Sequence, residues 1–165
     1  GAARVRLPRH TYVKLVGLVS KPEKNGAVGV VEGVDEGSGR YTVKLREGGA
    51  LALKLANLLQ MAEVRLVGLA ASMAEHEGAT GTIFERNAEA EMYGVELASG
   101  QSLPVGYANV RLADGAHGIV DGLQGAAQYN GLVARVLEFE ESSGRYLALL
   151  DGGKQLRLRP QNLRL

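Results

Sequence analysis

A chain of 165 residues with 45% apolar residues is long enough for one ordinary domain or several very small ones, and too apolar for wholesale disorder. It has no cysteine, which excludes a disulfide framework and a thiolate metal site, and no apolar run approaches the roughly 18 residues that cross a bilayer. The net charge of +1 is too balanced to argue for a polyanion partner, but it is unevenly spread: residues 1–60 hold ten Lys/Arg and five Asp/Glu, residues 61–112 three and seven, and residues 113–165 six and six.

In chain order, "YVKLV" ahead of Gly17 predicts a first strand, and "VGVVEGV", β-branched and bounded by glycines, a second. "DEGSG" is a polar hairpin loop. Tyr41, Val43 and Leu45 then alternate with polar residues at the period of a half-buried strand. Gly48 supplies the positive-φ turn, and Leu51 and Leu53 return as a further strand. "ANLLQ" predicts one 3₁₀ turn leading into a short closing strand. The same order follows twice more. Gly26, Tyr41 and Asn57 recur as Gly78, Tyr93 and Asn109, then as Gly131, Tyr146 and Asn162, with Gly-to-Tyr spacings of 15 and Tyr-to-Asn spacings of 16 throughout. The repeats are 1–60, 61–112 and 113–165. Met73–His76 in the second predicts a helical turn. The marker tyrosines fall in phase with the inward set and are expected in the core or at its rim, each hydroxyl tied to a turn. The marker asparagines are expected to cap the terminal turn. Ala134 replaces a glycine of the other two repeats, and Glu91-Met92 replaces Gly-Arg ahead of Tyr93.

Five short strands in about fifty residues describe a small barrel. The pattern "NGxxGxV…GRYxVxL…LxxxNL" resembles the KOW and SH3-like barrel repeats, and tandem repeats of algal and protist proteins. The resemblance covers nearly the whole chain. It implies an all-β chain of three tandem small SH3-like barrels; a single β-trefoil is the alternative that three units of this length allow. It carries no one function, since small barrels host many unrelated ones.

The residues offer no catalytic constellation. His10, His76 and His117 fall at non-equivalent points of the repeat, with no second ligand at metal spacing. No G-x-S-x-G elbow or phosphate loop is present, and the carboxylates of the hairpin loops suit turns and solubility. No enzyme activity, cofactor or metal is expected. Two surfaces remain. Arg4, Arg6, Arg9, Lys14, Lys21 and Lys24 form a basic cluster in the first repeat, which with the KOW resemblance makes nucleic acid a candidate partner; the stacking aromatics of a single-strand binder are scarce. The outward positions turn apolar toward the end of the chain: Thr42 and Lys44 give way to Gly94 and Glu96 and then to Leu147 and Leu149, and Glu32 to Phe84 and Leu137. Clustered outward apolar side chains mark an interface. Phe84, Leu137, Leu147 and Leu149 therefore either pack one repeat on another or dock a second protein. The expected function is a non-catalytic protein-binding or scaffold module, a peripheral subunit of a larger assembly. The expected setting is soluble and intracellular, and the resemblance admits a plastid. The opening Gly1-Ala2-Ala3, without Met, suggests a processed form or an excised fragment.

Overall fold

In the computed structural model, which describes residues 3–165, the chain forms three separate five-stranded antiparallel sheets and no trefoil core. Repeat one contains β1 (Tyr12–Leu15), β2 (Val28–Val34), β3 (Tyr41–Leu45), β4 (Ala50–Leu53) and β5 (Leu58–Gln60). Repeat two contains β6 (Glu63–Leu66), β7 (Thr80–Asn87), β8 (Met92–Leu97), β9 (Ser102–Gly106) and β10 (Val110–Arg111). Repeat three contains β11 (His117–Val120), β12 (Val133–Glu140), β13 (Arg145–Leu149), β14 (Gln155–Leu158) and β15 (Leu163–Arg164). The ladder order is β4-β3-β2-β1-β5 in repeat one, and the other two repeats match it. This is a small SH3-like meander, left open between its fourth and fifth strands. A 3₁₀ turn joins those two strands in every repeat (Leu55–Asn57, Tyr107–Asn109, Pro160–Asn162). The helical turn of repeat two spans Ala71–His76.

The alternation read from the sequence decides which face is buried. Tyr41, Val43 and Leu45 are buried while Thr42 and Lys44 are exposed. Each such Val or Leu taken from water contributes about 1.5–3 kcal/mol. With cores this small, a single methyl group matters. A Cβ on Gly29 would run into Val43 and the Lys44 carbonyl, and one on Gly81 into Val95. Repeat three carries Ala134 at that position, and the facing residue shrinks to Ala148; both are fully buried. The added carbon in one strand is offset by two removed from its neighbour.

Arg6–Ala62, which holds the sheet of repeat one, is one compact unit; Glu63–Leu165, with Ala3–Val5, is the other. Repeats two and three therefore share a unit, and they are joined by exchange. Leu112, which closes repeat two, donates its N–H to the Tyr146 hydroxyl of repeat three at 2.9 Å. Leu165, which closes repeat three, donates to the Tyr93 hydroxyl of repeat two at 2.9 Å. The 3₁₀ turns Tyr107–Asn109 and Pro160–Asn162 pack against each other. The relation is that of an isologous dimer written into one chain, equivalent parts meeting equivalent parts. In the same unit Ala3 and Val5 run beside the Asp151–Gly153 turn, Gly152 donating to the Ala3 carbonyl at 2.8 Å and the Val5 N–H to Asp151 Oδ1 at 2.6 Å.

Candidate functional site

The outward positions singled out in the sequence are placed by a β-bulge that recurs in each sheet. The register shifts between Val31 and Gly33, Ile83 and Glu85, and Val136 and Glu138, so Glu32, Phe84 and Leu137 are the extra residues at equivalent bulges. In repeat three, Leu147 lies between Glu138 and Arg157 of the neighbouring strands, and Leu149 between Arg135 and Gln155. Leu137, Leu147 and Leu149 are half-buried, flanked by long polar side chains whose stems cover apolar surface. The face is apolar in sequence and half-covered in space.

Repeat two differs through Gly94. It occupies the position of Leu147, and a Cβ there would lie 2.9 Å from Phe84 Cζ, so the Phe84 ring lies across the glycine. Where repeat three is filled by leucine, repeat two has a cleft of about 420 Å³ lined by Phe84, Met92, Gly94, Ser102 and Pro104. Gly94 pairs with Pro104 of β9, the edge strand. Proline removes a donor from that edge and so disfavours addition of a further strand. The cleft is therefore suited to side-chain recognition: an aromatic ring, a pliable thioether and a proline surround a hollow with room for a bulky side chain and its neighbours. The sequence signal is an outward glycine, Gly94, two strands' alternation away from an outward aromatic, Phe84.

The basic candidates do not form one free patch. Arg6 pairs with Glu36 at 3.0 Å and Lys24 with Glu47 at 2.8 Å. Arg4 and Arg9 are exposed, Lys14 is half-buried on β1, and Lys21 is exposed at the start of a 3₁₀ turn. The histidines stand apart as well. His10 lies in the loop ahead of β1, His76 is 3.7 Å from Glu75, and His117 faces Arg135 across β11 and β12. Burial first, and Arg135 second, hold His117 below the usual imidazole range. Among the described residues, no three His, Cys, Asp or Glu side chains cluster as metal ligands would.

Two recurrent side chains have roles different from those expected. The marker tyrosines are buried, and each hydroxyl accepts a backbone N–H from far along the chain: Tyr41 from Leu7, Tyr93 from Leu165 and Tyr146 from Leu112. The marker asparagines cap no turn. Asn57, Asn109 and Asn162 donate from Nδ2 to the carbonyls of Val16, Val67 and Asp121, at 2.9, 3.1 and 2.9 Å. They tie the 3₁₀ turn to the loop that follows the first strand, about forty residues away in sequence, which local reading does not reach.

Where repeats two and three meet, a polar cleft of about 470 Å³ is lined by Glu91, Tyr107, Arg145, Arg157 and Arg159 among others. Arg157 is held bidentate by Glu140, at 2.9 and 3.3 Å. Arg86 of repeat two donates to the Leu165 carbonyl of repeat three at 2.9 Å, and burial and the neighbouring Arg164 hold its pKa below the arginine range. Arg164 is relieved by Asp121 at 3.1 Å. The Tyr107 hydroxyl and Arg164 Nη1 are buried there without a hydrogen-bond partner. No family model matches this chain, and no curated protein does.

Proposed function

We propose that the chain is a non-catalytic protein-binding module, and that the second repeat supplies the docking face. The observation that carries this reading is the cleft over Gly94, edged by Phe84, Met92 and Pro104. It suits an extended partner segment that inserts one apolar side chain; burial of such a side chain is worth about 1.5–3 kcal/mol. Specificity then comes from the polar rim at Glu85 and Ser102. Leu137, Leu147 and Leu149 give repeat three the same face without the hollow, and so a role in packing. Nucleic acid is the weaker reading, because Arg6 and Lys24 are engaged by carboxylates.

The test is selection from a displayed random-peptide library on the intact chain, with wild type and Gly94→Leu compared. Repeat three carries leucine at this position beside Leu137, whereas a side chain on Gly94 must displace the Phe84 ring, so circular dichroism checks that Gly94→Leu keeps the fold. Enriched peptides with one bulky apolar residue, shifting the amide resonances of β7–β9 and lost in Gly94→Leu, are expected. No enrichment, or binding that survives Gly94→Leu unchanged, would overturn the reading. Nuclease-sensitive capture from a lysate would support nucleic acid instead.

A further inference from the structure

Residues 5–11 make the contacts of a repeat's closing strand, and the junction of repeats two and three provides the comparison. There the Leu112 N–H donates to the Tyr146 hydroxyl at 2.9 Å, Arg111 meets Glu141 at 3.1 Å, and Gly115, at φ 86°, donates to the Val136 carbonyl at 2.7 Å. Each contact has a counterpart 105 positions earlier. The Leu7 N–H donates to the Tyr41 hydroxyl at 3.1 Å, Arg6 meets Glu36 at 3.0 Å, and His10, at φ 74°, donates to the Val31 carbonyl at 2.7 Å. A histidine in the left-handed region is held there against its own side chain, so the linker shape is imposed by its contacts. The sequences agree, "ARVRL" at 3–7 against "ANVRL" at 108–112. So do the linkers: Gly17 follows Arg4, and Gly122 follows Asn109, by 13 positions, while Gly68 follows Asn57 by 11. Two linker classes alternate, and the one ahead of repeat one is the class that joins paired repeats.

A face of repeat one completes the argument. Repeat two brings Glu91 and Tyr107 over a cleft of repeat three floored by Gly122, Gln124, Arg145, Leu158, Arg159 and Asn162. The same six positions of repeat one are Gly17, Val19, Arg40, Leu53, Lys54 and Asn57, and they line a cleft of about 510 Å³ to which only repeat one contributes. Val19 within it is 90% exposed. Lys21, Arg40 and Lys54 line this cleft and no acidic residue does.

We propose that this face docks a further barrel of the same repeat type, whose body precedes residues 3–7 in the polypeptide and whose closing strand they form, Ala3 and Val5 exchanging their bonds to the Asp151–Gly153 turn for that strand's pairing. The structural period is a pair of barrels, and repeat one is the second member of its pair. The first member presents an acidic hairpin and an aromatic residue to Lys21, Arg40 and Lys54, as Glu91 and Tyr107 face Arg145 and Arg159 in the pair described.

The test uses the absence of native cysteine. Val19→Cys is alkylated with a maleimide in the 165-residue chain and in a chain extended by a copy of residues 61–107 placed directly ahead of Ala3, so that 3–7 can close the added barrel. Alkylation at least tenfold slower in the extended chain is expected, with Ser142→Cys, on an exposed hairpin, unchanged; adding Arg40→Glu and Lys54→Glu should restore the rate. Undiminished alkylation in an extended chain whose circular dichroism shows the added strands overturns the proposal. So does concentration-dependent protection in the 165-residue chain itself, which assigns the face to a second copy. If the extension does not fold, peptide mapping of the native polypeptide decides. A glycine and a tyrosine 15 apart, the tyrosine 19 positions ahead of Leu7 as Tyr93 is ahead of Leu112, are expected; an upstream sequence without them overturns the proposal.

Discussion

The backbone N–H of Leu165 donates to the hydroxyl of Tyr93, 72 positions earlier in the chain. The bond is buried, and burial holds the Tyr93 hydroxyl well above the ordinary tyrosine range. Tyr93→Phe removes the acceptor and leaves a buried donor, at a cost of about 1–3 kcal/mol. Tyr107, whose ring lies 4.5 Å from that of Tyr93, has a buried hydroxyl with no partner, so Tyr107→Phe should be neutral or stabilising. Chemical denaturation of the two variants should move in opposite directions or show an effect for Tyr93→Phe alone; equal destabilisation would contradict the exchange as the source of stability.

Repeat two holds one of its loops with a charge where its neighbours use an amide. Glu77 accepts from the N–H groups of Gly68 and Leu69, both at 2.9 Å. Asn25 and Asn130 stand at the same position and bind Leu18 and Leu123. The two backbone donors, Leu69 first, hold the Glu77 pKa below its reference of 4.5. A carboxylate with a depressed folded pKa contributes stability that is full above the unfolded value and is lost as the pH falls through the folded value. Acidification below about pH 4.5 should therefore shift the Leu69 amide resonance and leave those of Leu18 and Leu123 in place. Glu77→Asn should abolish the response.

The pair Ala134 and Ala148 should behave as a unit. Ala148→Val restores the residue type of Val43 and Val95 opposite a Cβ that the other repeats lack. Overpacking of this kind costs about 1–3 kcal/mol. Ala134→Gly with Ala148→Val should recover most of the loss, and a double-mutant cycle by thermal unfolding measures the coupling. Additive effects would show that the two sites do not share the space.

Asn109 binds two carbonyls of its loop, those of Val67 and Gly68, at 3.1 and 2.9 Å. Asn109→Ala should destabilise repeat two by about 1 kcal/mol and raise hydrogen exchange at Val67, which donates to the Asn109 carbonyl. If these asparagines acted as helix caps, the exchange would rise within Tyr107–Asn109 instead.

Much of the fold was legible because its signals are local. The alternation of Tyr41, Val43 and Leu45, the positive-φ glycines at Gly48, Gly100 and Gly153, and the threefold spacing all act within a few residues. The ends of the tyrosine and asparagine side chains were not legible, because their partners lie 34 to 72 positions away. The site was half legible. Phe84 was identified as outward and apolar, but the hollow beside it is made by Gly94, a residue that contributes by having no side chain. One-strand periodicity marks Leu147 and Leu149 as outward but does not show Arg157 and Arg135 beside them on the neighbouring strands.

The reciprocal bonds of Leu112 and Leu165 also set an order on synthesis. Repeat two is complete as sequence at Leu112, yet its Tyr93 slot is filled by Leu165. At about 5–20 residues per second, that slot waits roughly 4–14 s on the ribosome after Tyr93 is made. During that interval the nascent barrel exposes the seam its last partner will cover. A message interrupted between the two would leave repeat two with its closing strand paired to β6 and its buried Tyr93 hydroxyl without the Leu165 N–H.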